Sequence, residues 1–123
     1  MNLFNRAEVI DQNFTKYIKN DDLPDGNNEL TLSNISISHS ELISIFESQV
    51  FSRHMDLKAR ELKEKGECFY TIGSSGHESN AVFGNIFPLT DIAFLHYRSG
   101  AFFIERSKQL HNSTPLYDMA LSY

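Results

Sequence analysis

Most of the residues with chemistry to offer fall in one stretch, Phe69 to Arg98. Gly73-Ser74-Ser75-Gly76 is followed by His77-Glu78, and the apolar run Ile92–Leu95 ends in His96-Tyr97-Arg98. Two glycines in four positions favour unusual backbone angles and mark a loop. Loops of this kind at helix starts present free amides to anions. The spacing matches neither GxxxxGK[ST] nor GxGxxG, so by spacing alone a plain structural cap is the favoured use of the loop. At the other end of the stretch, Arg98 suits a phosphate because its planar fork makes two charge-assisted hydrogen bonds. Tyr97 adds a hydroxyl donor. The competing reading is that His96 and Tyr97 pack and Arg98 pairs with an acid such as Glu105.

Other chemistries find less support. His39, His54, His77, His96 and His111 do not fall at metal-ligand spacings, and the GHES segment lacks the partners of a zinc helix such as HExxH. No Ser/His/Asp constellation is assignable. The single cysteine, Cys68, excludes an internal disulfide and a Cys-based zinc site. It reads as a small apolar filler.

The loop and the tripeptide need elements to hold them. Ser38-His39-Ser40-Glu41 has the spacing of a capping box, and Gly66 is a stop signal. Between them the pattern predicts a helix of about seven turns, with Ile43, Phe46, Val50 and Leu57 on its apolar face and Phe51, Met55 and Leu62 flanking. The charges Arg53, Asp56, Lys58, Arg60 and Glu61 read as a solvated face. Cys68 to Ile72 reads as extended. Ser75-Gly76-His77-Glu78 is a second capping-box pattern, so a short helix is expected from about Gly76 to Pro88, burying Ala81, Val82 and Phe83 or Ile86. Ile92–Leu95, a continuous apolar run, reads as a strand covered on both faces. Ligands of open α/β sheets sit outside the carboxyl ends of strands, which is where His96-Tyr97-Arg98 falls. A helical pattern resumes at Ala101, with Phe102, Phe103 and Leu110 apolar. Ser113-Thr114-Pro115 starts another helix, whose pattern still runs at Tyr123, as in a polypeptide that continues.

Ahead of these elements, Leu3, Ala7, Ile10, Phe14, Tyr17 and Ile18 trace one face of an amphipathic helix. That face either docks on the rest of the fold or packs on a partner subunit. A polar linker, residues 20–29, and a short half-buried extended segment, Leu30 to Ile37, follow. Residues 1–37 therefore read as a helical arm and linker, and residues 38–123 as the body.

With 123 residues and 41% hydrophobic composition, the chain is globular rather than disordered. Its net charge of −5 argues against general nucleic-acid or anionic-membrane binding. No apolar run reaches the roughly 20 residues needed to span a bilayer. The first residues, MNLFNRAEVIDQ, match neither a secretory nor a mitochondrial leader, so a cytoplasmic location is the default.

The run SRHMDLKARELKEKGECFYTIGSSGHES, followed by FLHYRSGAFF, resembles the N-terminal part of the thiamine-diphosphate-dependent 2-oxo acid dehydrogenases. The likeness is to the alpha subunit, or the alpha half of a fused alpha–beta chain, of the decarboxylating component, and the branched-chain (2-oxoisovalerate) type is nearest. It rests on Gly66, Tyr70, Gly76-His77-Glu78, Thr90-Asp91 and Tyr97-Arg98 in order, over roughly residues 38 to 120. The resemblance implies a mostly α segment with one or two short strands, the N-terminal fragment of an α/β thiamine-diphosphate-binding fold. It implies that Tyr97 and Arg98 bind the cofactor diphosphate, with His96 beside them, and that Tyr70, Ser75 and His77 line the substrate pocket.

The parent enzyme would oxidatively decarboxylate a 2-oxo acid and pass the acyl group to a lipoyl domain. The cofactor acts as the electron sink. The family's GDG-containing magnesium and diphosphate motif is absent, as are the later histidine loop and the beta part with its activating glutamate. The segment therefore holds no complete catalytic site. The implied partners are a beta subunit or C-terminal beta half and the lipoyl-bearing acyltransferase component, in a homo- or hetero-oligomer. The alternative from another class is a helical structural or interaction module that binds no cofactor.

Overall fold

A computed structural model describes residues 6–22, 31–69 and 72–123. Among them are five α-helices and no strand. The chain divides into two compact units, 1–36 and 37–123.

The first unit carries α1, Arg6–Asn20. Ile10, Phe14, Tyr17 and Ile18 share a face of this helix, as their spacing predicts, and all four are exposed. Leu3 and Leu30 lie outside the described residues. The expected extended segment after the linker is instead a single 3-10 turn, Leu32–Asn34. The Asn34 side chain causes this by accepting from both the Thr31 amide (2.9 Å) and the Thr31 hydroxyl (2.6 Å), which turns the backbone away from a strand.

The second unit is built on α2, His39–Glu64. Its start is the predicted capping box: Ser38 Oγ accepts from the Glu41 amide, and the Glu41 carboxylate accepts from the Ser38 amide (2.9 Å). Its end is a Schellman turn, in which the Gly66 amide donates to Lys63 and the Glu67 amide to Leu62. Gly66 stands there at φ +75°, where a side chain would be strained.

The buried face of α2 is not the predicted one. Ile45, Ser48, Ser52, Asp56 and Ala59 point inward, whereas Ile43, Phe46, Phe51 and Leu57 are exposed. Small side chains let neighbouring backbones approach closely, and that decides the face. Gly100 shows how closely: a Cβ there would lie 2.8 Å from Ser52 Oγ.

After Gly66 the chain runs through the Gly73–His77 loop into a 3-10 turn, Glu78–Asn80, and then α3, Ala81–Ile86. The second capping box does not form. The Glu78 carboxylate accepts from the Gly76 amide (2.8 Å), and no side chain caps the turn. Ala81 is fully buried, but Val82, Phe83 and Ile86 are exposed. α4, Gly100–Ser107, and α5, Pro115–Leu121, complete the unit, with Pro115 in the first turn as predicted. α3 packs against α4, α4 lies on α2, and α5 touches both α2 and α4. Ile37 packs on the small core formed by Ile45, Ala81 and Ala101.

Polar ties reinforce these contacts. Glu105, buried on α4, accepts from Ser48 Oγ (2.6 Å), Asn85 Nδ2 (3.1 Å) and Lys108 Nζ (3.0 Å), joining α2, α3 and α4. Burial opposes its charge, but these donors outweigh it and hold its carboxyl below the ordinary glutamate value. Gln109 donates to the carbonyls of Gly84 and Phe87 and so closes the end of α3.

The predicted strand Ile92–Leu95 is an irregular crossing. Ile92 is 86% and Phe94 95% exposed. A strand needs a neighbour for its amides and carbonyls, and no other described segment of this chain offers one. Cys68 and Ile72, at the ends of the other expected strand, are likewise outside any sheet.

Candidate functional site

The site lies where the Gly73–His77 loop meets the loop entering α4. Ser99 Oγ accepts from the His96 amide (3.3 Å), and the His96 ring, through Nδ1, accepts from the Arg98 amide (3.1 Å). These bonds, with the Ser99-to-His96 backbone hydrogen bond, fold His96-Tyr97-Arg98-Ser99 into a tight turn. The Arg98 guanidinium sits 5.3 Å from the centre of the Tyr97 ring, and its Nη1 donates to the Gly73 carbonyl (3.3 Å). His96 packs edge-on against both Tyr97 (5.4 Å) and His77 (6.2 Å).

Sequence reasoning thus named four residues that the fold gathers: His77, His96, Tyr97 and Arg98. Ser75 belongs to the same loop but is exposed at its turn. Tyr70 lies outside the described residues. The proposed Arg98–Glu105 pairing does not occur, since Arg98 turns to Gly73 while Glu105 is occupied by Ser48, Asn85 and Lys108.

Beneath these residues is a cleft of about 370 Å³, whose walls include Asp56, Ser74, His96, Tyr97, Asp118 and Tyr123. Asp56 was read from the sequence as part of a solvated charged face, and it is instead 7% exposed. One of its oxygens accepts from the Ser74 amide (2.7 Å) and the Ser74 hydroxyl (3.1 Å). Ser74 Oγ is also 2.8 Å from Ser52 Oγ. Burial raises the Asp56 carboxyl above its ordinary value, against the opposing pull of Ser74, Arg53 and Arg60. The Tyr123 phenol, which also lines the cleft, is raised too, first by burial and then by the charges of Asp56 and Cys68.

Asp56, Ser74 and Ser52 were missed as site residues. A signal was present: Ser48, Ser52 and Asp56 recur at steps of four, a helical row of small and polar residues. It was outweighed by the more hydrophobic row beside it.

The cleft walls carry two carboxylates, Asp56 and Asp118, and no Lys or Arg; the groups that suit an anion stand beside it, on the turn whose Tyr97 and Ser99 line it. Arg98 spends one amino nitrogen on Gly73, the Tyr97 hydroxyl is on an exposed ring, and α4 begins at Gly100 with no side-chain cap. The first-turn amides of a helix point out of its amino end. No group of His, Cys, Asp and Glu side chains among the described residues is arranged to hold a metal ion. No helix among them is long and apolar enough to cross a membrane.

No protein-family model, curated protein or solved structure matches this chain.

Proposed function

We propose that this chain is the segment of a thiamine-diphosphate-dependent 2-oxo acid dehydrogenase that contributes one side of the cofactor's diphosphate site. The observation that carries the reading is the meeting of Tyr97 and Arg98 with the Gly73-Ser74 loop at the uncapped start of α4. The ordered resemblance over residues 38 to 120 supplies the reaction class, with a branched-chain type 2-oxo acid as substrate.

The residues present fit half of a diphosphate site. Arg98 would supply a charge-assisted fork, Tyr97 a hydroxyl, and the first turn of α4 its amides. The adjoining cleft, which Arg98 does not line, carries the carboxylates of Asp56 and Asp118, which do not suit an anion, and Asp56 is answered by Ser74 and by the nearby Arg53 and Arg60. When bound, the cofactor supplies the electron sink for decarboxylation. The chain's own residues hold and orient its anionic end. The magnesium ligands would come from outside this segment, further along, and the activating glutamate from a beta subunit or C-terminal beta half. Acyl transfer goes to the lipoyl-bearing component.

The test is Arg98→Ala in the assembled enzyme. Loss of a charge-assisted hydrogen bond predicts at least about tenfold weaker cofactor binding. Unchanged cofactor affinity would leave the second reading, a helical interaction module without cofactor. That reading draws on the uncovered apolar faces of α1 and α2, where Ile10, Phe14, Ile43 and Phe46 are exposed.

A further inference from the structure

The bonds from Asp56 and Arg98 converge on a single peptide group. Asp56 accepts from the Ser74 N–H at 2.7 Å, and Arg98 donates to the Gly73 C=O at 3.3 Å. That N–H and that C=O belong to the same peptide unit, which is planar and trans, so the two groups point in opposite directions from one rigid plate. Gripping the N–H on one side therefore sets where the carbonyl points on the other. We propose that Asp56 is a positioning residue for Arg98, acting through the Gly73–Ser74 peptide plane. The proposal rests on the diphosphate reading for its purpose, though the coupling itself is a property of the ligand-free chain.

Three features make the grip specific. Asp56 and Ser74 are 7% and 2% exposed, so water competes little for their bonds. Ser74 binds the same carboxylate oxygen a second time through its hydroxyl, and Ser52 holds that hydroxyl in place. Position 73 is also tight: a Cβ would lie 3.2 Å from Asp56 Oδ2 and 3.3 Å from Arg60 Nη2, so a side chain there needs these groups to give by a few tenths of an ångström.

Protonating Asp56 weakens its hold on the Ser74 amide, because a neutral carboxyl is a poorer acceptor than a carboxylate. The charged and titratable groups facing it are Arg53 and Arg60 on its own helix and Tyr123 beyond α5, with Asp118 and His96 on the shared cleft. The raised carboxyl value of Asp56 puts this change above the ordinary aspartate range, where it can be followed in the folded protein.

The experiment is an NMR pH titration of the ligand-free chain. It follows the Asp56 carboxyl carbon, the Ser74 amide and the Arg98 Nε–Hε pair. All three are expected to share one midpoint. In Asp56→Asn the Ser74 and Arg98 transitions should vanish. An Arg98 signal that ignores the Asp56 midpoint, or keeps its transition in Asp56→Asn, overturns the proposal; if that variant does not fold, the wild-type midpoints decide.

Binding of inorganic pyrophosphate separates this proposal from the functional reading it serves. Asp56→Asn should weaken it about tenfold, the usual size of losing a supporting partner behind a ligand-binding group, and Arg98→Ala should abolish it. Loss in Arg98→Ala with no change in Asp56→Asn also overturns the positioning role. Pyrophosphate binding indifferent to Arg98→Ala sinks the diphosphate reading instead, while a shared midpoint would still support the coupling.

Discussion

Two buried acids hold this molecule together with opposite pH signatures. Glu105 is held below its ordinary value of 4.5, so the stability it contributes is present above that value and lost as pH falls through the lower folded one. Asp56 is raised, so its contribution is present below the ordinary aspartate value and lost as pH rises through the raised one. Glu105→Gln replaces an oxygen that accepts from buried donors and removes one of the charged partners of Lys108. The variant should lose about 2 kcal/mol at neutral pH. The gap to wild type should close as the solution is acidified below the carboxylate range, where both side chains are neutral. Urea melts across pH check this, and a constant gap would show that the ionised form of Glu105 contributes nothing. The residue scale is also where the sequence was most legible for the site. Tyr97, Arg98 and His96 were found because cationic, phenolic and imidazole side chains in a row are chemically conspicuous. Asp56 was not, because the row of small and polar residues it shares with Ser48 and Ser52 is outweighed by the more hydrophobic row beside it.

At the scale of elements, close approach rather than hydrophobicity arranges the helices. α3 and α4 meet at Gly84, where a Cβ would lie 2.5 Å from the Phe102 carbonyl and 3.2 Å from the Arg106 amide. A backbone carbonyl cannot rotate aside as a side chain can. Gly84→Ala should therefore cost about 2 kcal/mol from overpacking, although alanine is the better helix former by about 1 kcal/mol. A measured gain in thermal stability would mean that α3 slides freely on α4. Helix ends were legible here: Ser38, Glu41, Gly66 and Pro115 act through local hydrogen bonds and backbone angles, which depend on the adjacent residues. The face that α2 buries was not. Ser48 and Ser52 are preferred over Ile43 and Phe46 because small residues admit a neighbouring backbone, and only the neighbour reveals that.

Across the whole molecule, the described surface leaves many large apolar side chains uncovered. Phe69, Ile92 and Phe94 are almost fully exposed, and Phe46 and Ile43 are exposed along α2. The Ile92–Leu95 crossing also leaves its backbone outside any sheet. The chain on its own is expected to self-associate at micromolar concentrations. Ile92→Ser with Phe94→Ser should shift sedimentation towards monomer without lowering the melting temperature, since neither side chain is buried. A wild-type chain that sediments as a monomer throughout would show that these surfaces are tolerated in water.

The sequence alone determined both ends of α2 and the proline start of α5, the predominance of α-structure and the grouping of polar residues before α4. Each follows from interactions between residues a few positions apart. Tertiary structure decided the rest. Ile92–Leu95 has the composition of a strand but not its geometry, because strand formation depends on a distant partner. Arg98 chose the Gly73 carbonyl over Glu105, because Ser48, Asn85 and Lys108 had already claimed that acid. Asp56 became buried and bonded because Ser74 is brought across from another loop, and burial is a property of what packs above a residue.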